Sequence, residues 1–97
     1  MTSRQRAYLR SLAMNINPIY QIGKSGLTPD VTAALDEVLA ARELIKIHVL
    51  QNCEEDPKVL GEMAAGRTRS ELVHVIGRMI VLYRPAKDEK KRKIVLP

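Results

Sequence analysis

Apolar residues recur along the chain in two rhythms, one helical and one extended, and the changes of rhythm mark the elements. Over residues 3–14 a 3.6-residue period predicts a helix, with Tyr8, Leu9 and Leu12 on one buried stripe and Arg6 and Arg10 well off it. Thr2 or Ser3 is placed to cap it, and Asn15–Pro18 ends it, because a residue before proline is pushed out of the α region. Ile19–Ile22 reads as a short strand. Thr28-Pro29-Asp30 then combines a capping hydroxyl, a proline suited to the first helical position and an acid at the positive end of the helix dipole. Val31, Ala34, Leu35, Val38 and Leu39 share a face, so this second helix runs to Ala41. Leu44–Leu50 alternates, with Ile45, Ile47 and Val49 on one side and Lys46 and His48 on the other. Asp56-Pro57 repeats the capped start, and Val59, Leu60 and Met63 edge a third helix ending near Gly66. Leu72–Ile76 and Met79–Arg84 are two more strands around a Gly77-Arg78 turn. The order is helix, then β-α-β-α-β-β, which predicts an α/β fold with a mixed four-stranded sheet.

At 97 residues the chain predicts one domain, residues 1–97, with a basic tail over 86–97. No internal repeat and no second core are visible. No apolar run approaches the roughly 20 residues of a membrane span, and the N-terminus lacks the apolar stretch of a signal peptide. A soluble, cytoplasmic monomer is expected. The single cysteine, Cys53, rules out an intrachain disulfide and a multi-cysteine zinc site. With Glu54, Glu55 and Asp56 beside it, Cys53 is not read as a nucleophile. No paired carboxylates and no Cys/His constellation stand out, and a His48–His74 pair lacks a third metal ligand. No enzymatic activity, cofactor, metal or small-molecule substrate is therefore expected.

Charge sharpens the picture. The formal net charge is +5, but it is unevenly spread. Residues 1–10 and the segments 63–85 and 86–97 each carry +3, whereas residues 30–62 carry −5. Such segregation favours a polyanion partner over a generic soluble surface. Three Tyr with no Phe or Trp argue against a sheet that stacks bases on aromatic platforms.

Gly23-Lys24-Ser25-Gly26 has the GXXG spacing of loops that clamp a single-stranded nucleic-acid backbone. Glycines permit close approach, Lys24 supplies a cation and Ser25 a donor. Two glycines between a strand and a helix also occur for conformational reasons alone. A phosphate-binding P-loop is excluded, since the glycine required five residues before Gly23 is Pro18. Arg4, Arg6 and Arg10, with no acid in the first ten residues, are read as a phosphate-contacting helix face. Arg67, Arg69, Arg78 and Arg84 are candidates to extend that surface, Arg84 equally to close its strand. The tail pairs a cationic Lys90–Lys93 run with apolar Ile94–Leu96, so it is either a free arm or a segment that docks back.

Four separated blocks carry a family resemblance: RQRAYLRSLA (Arg4–Ala13), PIYQIGKSGLT (Pro18–Thr28), ELIKIHVL (Glu43–Leu50) and VIGRMIVLYRP (Val75–Pro85). Together they resemble the YhbY family, single-domain bacterial members of the CRM (chloroplast RNA splicing and ribosome maturation) group. The pattern departs from the family at AAGRTRSEL (Ala64–Leu72). The resemblance implies an RNA-binding domain similar to the C-terminal domain of translation initiation factor three. It also implies ribosomal RNA and precursors of the large ribosomal subunit as partners. The alternatives are a translation factor-like protein acting on the small subunit, a small nuclease or nucleotide hydrolase, and a DNA-binding protein.

Overall fold

Thr2 opens the first helix by a reciprocal cap. Its hydroxyl accepts from the Gln5 N–H, and the Gln5 side chain accepts from the Thr2 N–H, which starts α1 (Ser3–Ala13). The computed structural model describes residues 1–97. After α1 come β1 (Tyr20–Ile22), α2 (Pro29–Arg42), β2 (Leu44–Val49), α3 (Pro57–Thr68), β3 (Glu71–Ile76) and β4 (Met79–Tyr83). Thr28 caps α2 and Asp56 caps α3, each followed by proline at the first helical position.

The four strands form one sheet in the order β1-β2-β4-β3. β1 and β2 run parallel, as a strand–helix–strand crossover requires, and β4 pairs antiparallel with both β2 and β3. α3 therefore carries the chain past a vacant position to the far edge, and the β3–β4 hairpin returns to fill it. Alternation sorts the side chains into two cores. Ile22, Ile45, Ile47, Val49, Ile80 and Leu82 lie beneath Leu35 and Leu39 of α2 and Leu60, Ala64 and Ala65 of α3. Gly61 lets α3 sit close on β3, for a Cβ there would stand 3.0 Å from a Leu72 methyl. On the opposite face Leu44, Val73, Val81 and Tyr83 meet Leu9 and Ala13 of α1. A register shift between Leu72 and His74 marks a bulge at Val73, which lies in this second core.

Two expectations need correction. Tyr8 is 38% exposed and belongs to neither core. The buried stripe is Leu9 and Ala13, flanked by Leu12 and Ile16, a narrow i, i+3, i+4, i+7 set that leaves Tyr8 on its shoulder. α3 continues past Gly66 to Thr68 and stops at Arg69, whose φ of 55° is left-handed. Of the two alternatives left open for the tail, the structure shows docking: a short turn at Glu89–Lys91 leads to Ile94 and Leu96, which pack against the second core.

Candidate nucleic-acid interface

The strand β1 ends at Ile22, and the chain turns at once. The Gly26 N–H donates to the Gly23 carbonyl at 3.0 Å, closing a four-residue turn with Lys24 and Ser25 at its corners. Gly26 has a φ of +68°, a conformation glycine adopts without the penalty of a Cβ. Lys24 and Ser25 are exposed, and their side chains make no hydrogen bond within the protein. The turn is braced on both sides. The Leu50 N–H donates to the Ile22 carbonyl, and the Asn52 side chain lies against Gly23, 3.5 Å from where a Cβ would stand. Beyond the turn, Arg67 Nη1 donates to the Leu27 carbonyl at 2.9 Å. A cation, a hydroxyl and two amide side chains (Gln51 and Asn52) are thus presented at the end of the sheet where β1 and β2 stop. Sequence reasoning missed Asn52, since a loop residue carries no periodic signal of what it will lie beside.

The seven arginines of the proposed basic surface divide into two groups. Arg4 and Arg10 on α1 and Arg69 after α3 are exposed, and their side chains make no hydrogen bond within the protein. The other four donate to backbone carbonyls. Arg6 serves Leu72 and Val73 at the bulge of β3, Arg67 serves Leu27, and Arg78 serves Val49, Leu50 and Cys53. Arg84 binds the Thr68 carbonyl together with the carbonyl and carboxylate of Asp36. Arg6, Arg78 and Arg84 are half-buried and tie elements together, so Arg6 is not a free member of the α1 face, and Arg78 and Arg84 hold carbonyls rather than standing free, Arg84 as the alternative of closing its strand allowed. The signal absent from the sequence is which carbonyls a bulge or loop leaves unpaired. Arg67 is exposed and stands beside the Gly23–Gly26 turn through Leu27.

Between loop and α1 lies an uncovered strip of sheet. Gln21, His48, Met79 and Ile76 form one cross-strand row, one residue from each strand. Ile76 is 62% exposed, and His48 and Met79 are half-buried. Lys46 and His74 flank Val81 in the next row. No acid occupies either row.

The tail is fixed by a residue the sequence reading passed over. Glu43 joins α2 to β2 with a φ of 66°, and its side chain is buried. Its Oε2 accepts from the Ala86 N–H, and its Oε1 accepts from the N–H groups of Lys93 and Ile94. Burial alone would raise its pKa. The three N–H donors and the Arg92 charge outweigh that and hold the carboxyl below the usual glutamate value. Burial, with the Glu43 charge beside it, pushes the Tyr83 hydroxyl up. No cluster of three or more His, Cys, Asp or Glu side chains is placed to hold a metal ion. No helix is long and apolar enough to cross a membrane.

This architecture is shared with known proteins. The chain is 45% identical over 91 residues to "Probable RNA-binding protein YqeI" of Bacillus subtilis, covering 94% of this chain and 95% of that one. It is 32% identical over 90 residues to "RNA-binding protein" of Haemophilus influenzae, covering 93% and 91%. The solution structure of the hypothetical protein SAV1595 from Staphylococcus aureus superposes with a TM-score of 0.83 at 52% identity, over 100% of this chain and 99% of that one. The model of the CRS1 / YhbY (CRM) domain matches residues 1–84, from the cap of α1 to the end of β4. The chain is a member of the CRS1/YhbY (CRM) domain family.

Proposed function

We propose that this is a non-catalytic RNA-binding module of 97 residues that grips RNA backbone through the Gly23–Gly26 turn and assists assembly of the large ribosomal subunit in the cytoplasm. One observation carries the reading. The turn is closed by the Gly26 N–H on the Gly23 carbonyl and tied to β2 by the Leu50 N–H on Ile22, yet Lys24 and Ser25 at its tip have no side-chain partner in the protein. A braced loop with free donors suits phosphate oxygens, because little ordering cost remains to be met on binding. Arg4, Arg10 and Arg69 add charge without disturbing the fold, and Arg67 lends its remaining donors beside the loop. The relatives named as RNA-binding proteins favour RNA over DNA. The large subunit is favoured by the family resemblance of the four sequence blocks.

The test is a sucrose gradient of lysate containing the tagged protein at low and moderate salt. Migration with the large subunit or its precursors is the expected result. Migration with the small subunit instead would transfer the role to that particle, and recovery at the top of the gradient at both salts would overturn the ribosomal assignment.

A further inference from the structure

A cleft of about 660 Å³ opens at the β1 edge of the sheet, between the α1–β1 connection and the docked tail. β1 is only three residues long and pairs with Ile47–Val49, so the first half of β2 has no strand beside it there. Its floor is apolar, with Ile16, Ile19 and Leu44. Its rim carries three cations from three different parts of the chain: Arg42 at the end of α2, Lys46 in β2 and Lys93 in the tail. Asn15 and Asn17 add amide groups, and no carboxylate lines it. Glu43, adjacent in sequence to Arg42, is turned away and fully engaged with Ala86, Lys93 and Ile94. Lys93 gives one N–H to the Ala41 carbonyl, whereas Arg42 and Lys46 make no side-chain hydrogen bond.

An apolar floor ringed by cations and amides matches one chemical object closely. An unstacked nucleobase has two apolar faces and a polar edge, and its phosphate needs cations. The volume lies within the ordinary range of small-ligand sites. Ile19, on the floor, and Gly23, at the loop, are joined by extended chain about 13 Å long. A strand gripped by the turn can therefore run along β1 into the cleft.

We infer that this cleft receives one unpaired nucleotide of the bound RNA, its base on the Ile16–Ile19–Leu44 floor and its phosphate between Arg42, Lys46 and Lys93. The inference rests on the RNA-binding reading and extends it to residues outside the loop and α1. Specificity then has a place in the structure: Asn15 and Asn17 present donors and acceptors to a base edge.

The experiment measures anisotropy of a labelled single-stranded RNA oligonucleotide across a salt series. The proteins are the wild type, Arg42→Ala/Lys46→Ala, Asn17→Asp and Lys24→Glu, each with its thermal melt. Asn17 is exposed, so its variant guards against a folding defect at Lys46. The cleft variants are expected to bind about tenfold more weakly, with the double variant's salt slope shallower by roughly one. Thiouridine in the oligonucleotide should cross-link to residues 15–19. Unchanged affinity in both cleft variants, alongside weakening in Lys24→Glu, overturns the cleft and leaves the loop reading intact. No binding by the wild type overturns both. Uridine monophosphate that binds the wild type as tightly as the oligonucleotide assigns the cleft to free nucleotides and overturns its place on an RNA track.

Discussion

Glu43→Gln is the substitution that most directly tests how the tail is held. The carboxylate is 1% exposed and accepts three backbone N–H groups, at 2.8 Å from Ala86, 2.6 Å from Lys93 and 3.2 Å from Ile94. Glutamine keeps the shape but has one acceptor oxygen. If that oxygen stays with Lys93 and Ile94, the amide nitrogen confronts the Ala86 N–H, donor against donor. One hydrogen bond to a charged group is lost, at about 1.5–3 kcal/mol, and two are weakened to neutral strength. Release of the tail caps the damage, because Ile94 and Leu96 are only half-buried and the cores beneath α2 and α3 do not depend on them. A loss of about 2–3 kcal/mol is expected at pH 7, or roughly 8–20 °C in melting temperature for a domain of this size. The pH dependence follows from the depressed pKa of Glu43. A group held below its unfolded value stabilises the fold above that value, 4.5, and the contribution disappears as pH falls through the lower folded value. The gap between wild type and Glu43→Gln should therefore be full at neutral pH and narrow below about pH 4. Glu43→Gly separates the two demands on this position. It removes the acceptors yet relieves the positive φ, so it should be more stable than Glu43→Ala by about 1 kcal/mol. Urea unfolding at pH 7 and pH 3.5 is the assay. Equal midpoints for wild type and Glu43→Gln at pH 7 would show that the tail is not clamped by this carboxylate.

The remaining predictions separate binding from stability. Lys24→Glu should weaken RNA binding about tenfold at low salt with no change in melting temperature, as measured by anisotropy and differential scanning calorimetry. Arg4→Ala and Arg10→Ala should each flatten the salt dependence and leave stability within about 0.5 kcal/mol, whereas Arg6→Ala should lower the melting temperature because the Leu72 and Val73 carbonyls lose their donor. Arg78→Ala strips a guanidinium from Val49, Leu50 and Cys53, so about 2–3 kcal/mol and faster amide exchange across residues 50–56 are expected. If exchange there is unchanged, Arg78 is not what fixes the loop against which Gly23 rests.

Local chemistry made much of this fold readable. Thr28-Pro29 and Asp56-Pro57 each combine a cap with a preset φ, and both helices start where that chemistry demands. The alternation of Ile45, Ile47 and Val49 against Lys46 and His48 assigned the two faces of β2 before any partner strand was considered. The turn geometry of the candidate site was legible to the same depth. A GXXG turn is a local object, and Gly26 has the positive φ that its place in the turn demands.

Arginine roles were not local, and there the reading from sequence fell short. Arg4 and Arg6 sit two residues apart on the same helix with the same charge, but on opposite sides of it, Arg6 at i−3 and i−7 from the buried Leu9 and Ala13. The bulge in β3, 66 residues away, offers Arg6 the carbonyls it braces, and Arg4 stays exposed without a side-chain partner. The same logic applies to Arg78, whose partners become available because β2 ends where it does, and to Glu43, whose value lies in three amides from a tail some 50 residues on. Composition fixes how many cations a chain owns, 16 Lys and Arg here. Unsatisfied backbone carbonyls decide how many are left for a polyanion, since a carbonyl deprived of water recruits the nearest guanidinium first. A basic surface counted from sequence is therefore an upper bound: of Lys24 and the seven arginines read as one surface, only Lys24, Arg4, Arg10 and Arg69 keep side chains with no partner in the protein. The salt slope of RNA binding should follow that smaller set rather than all 16 basic residues of the chain.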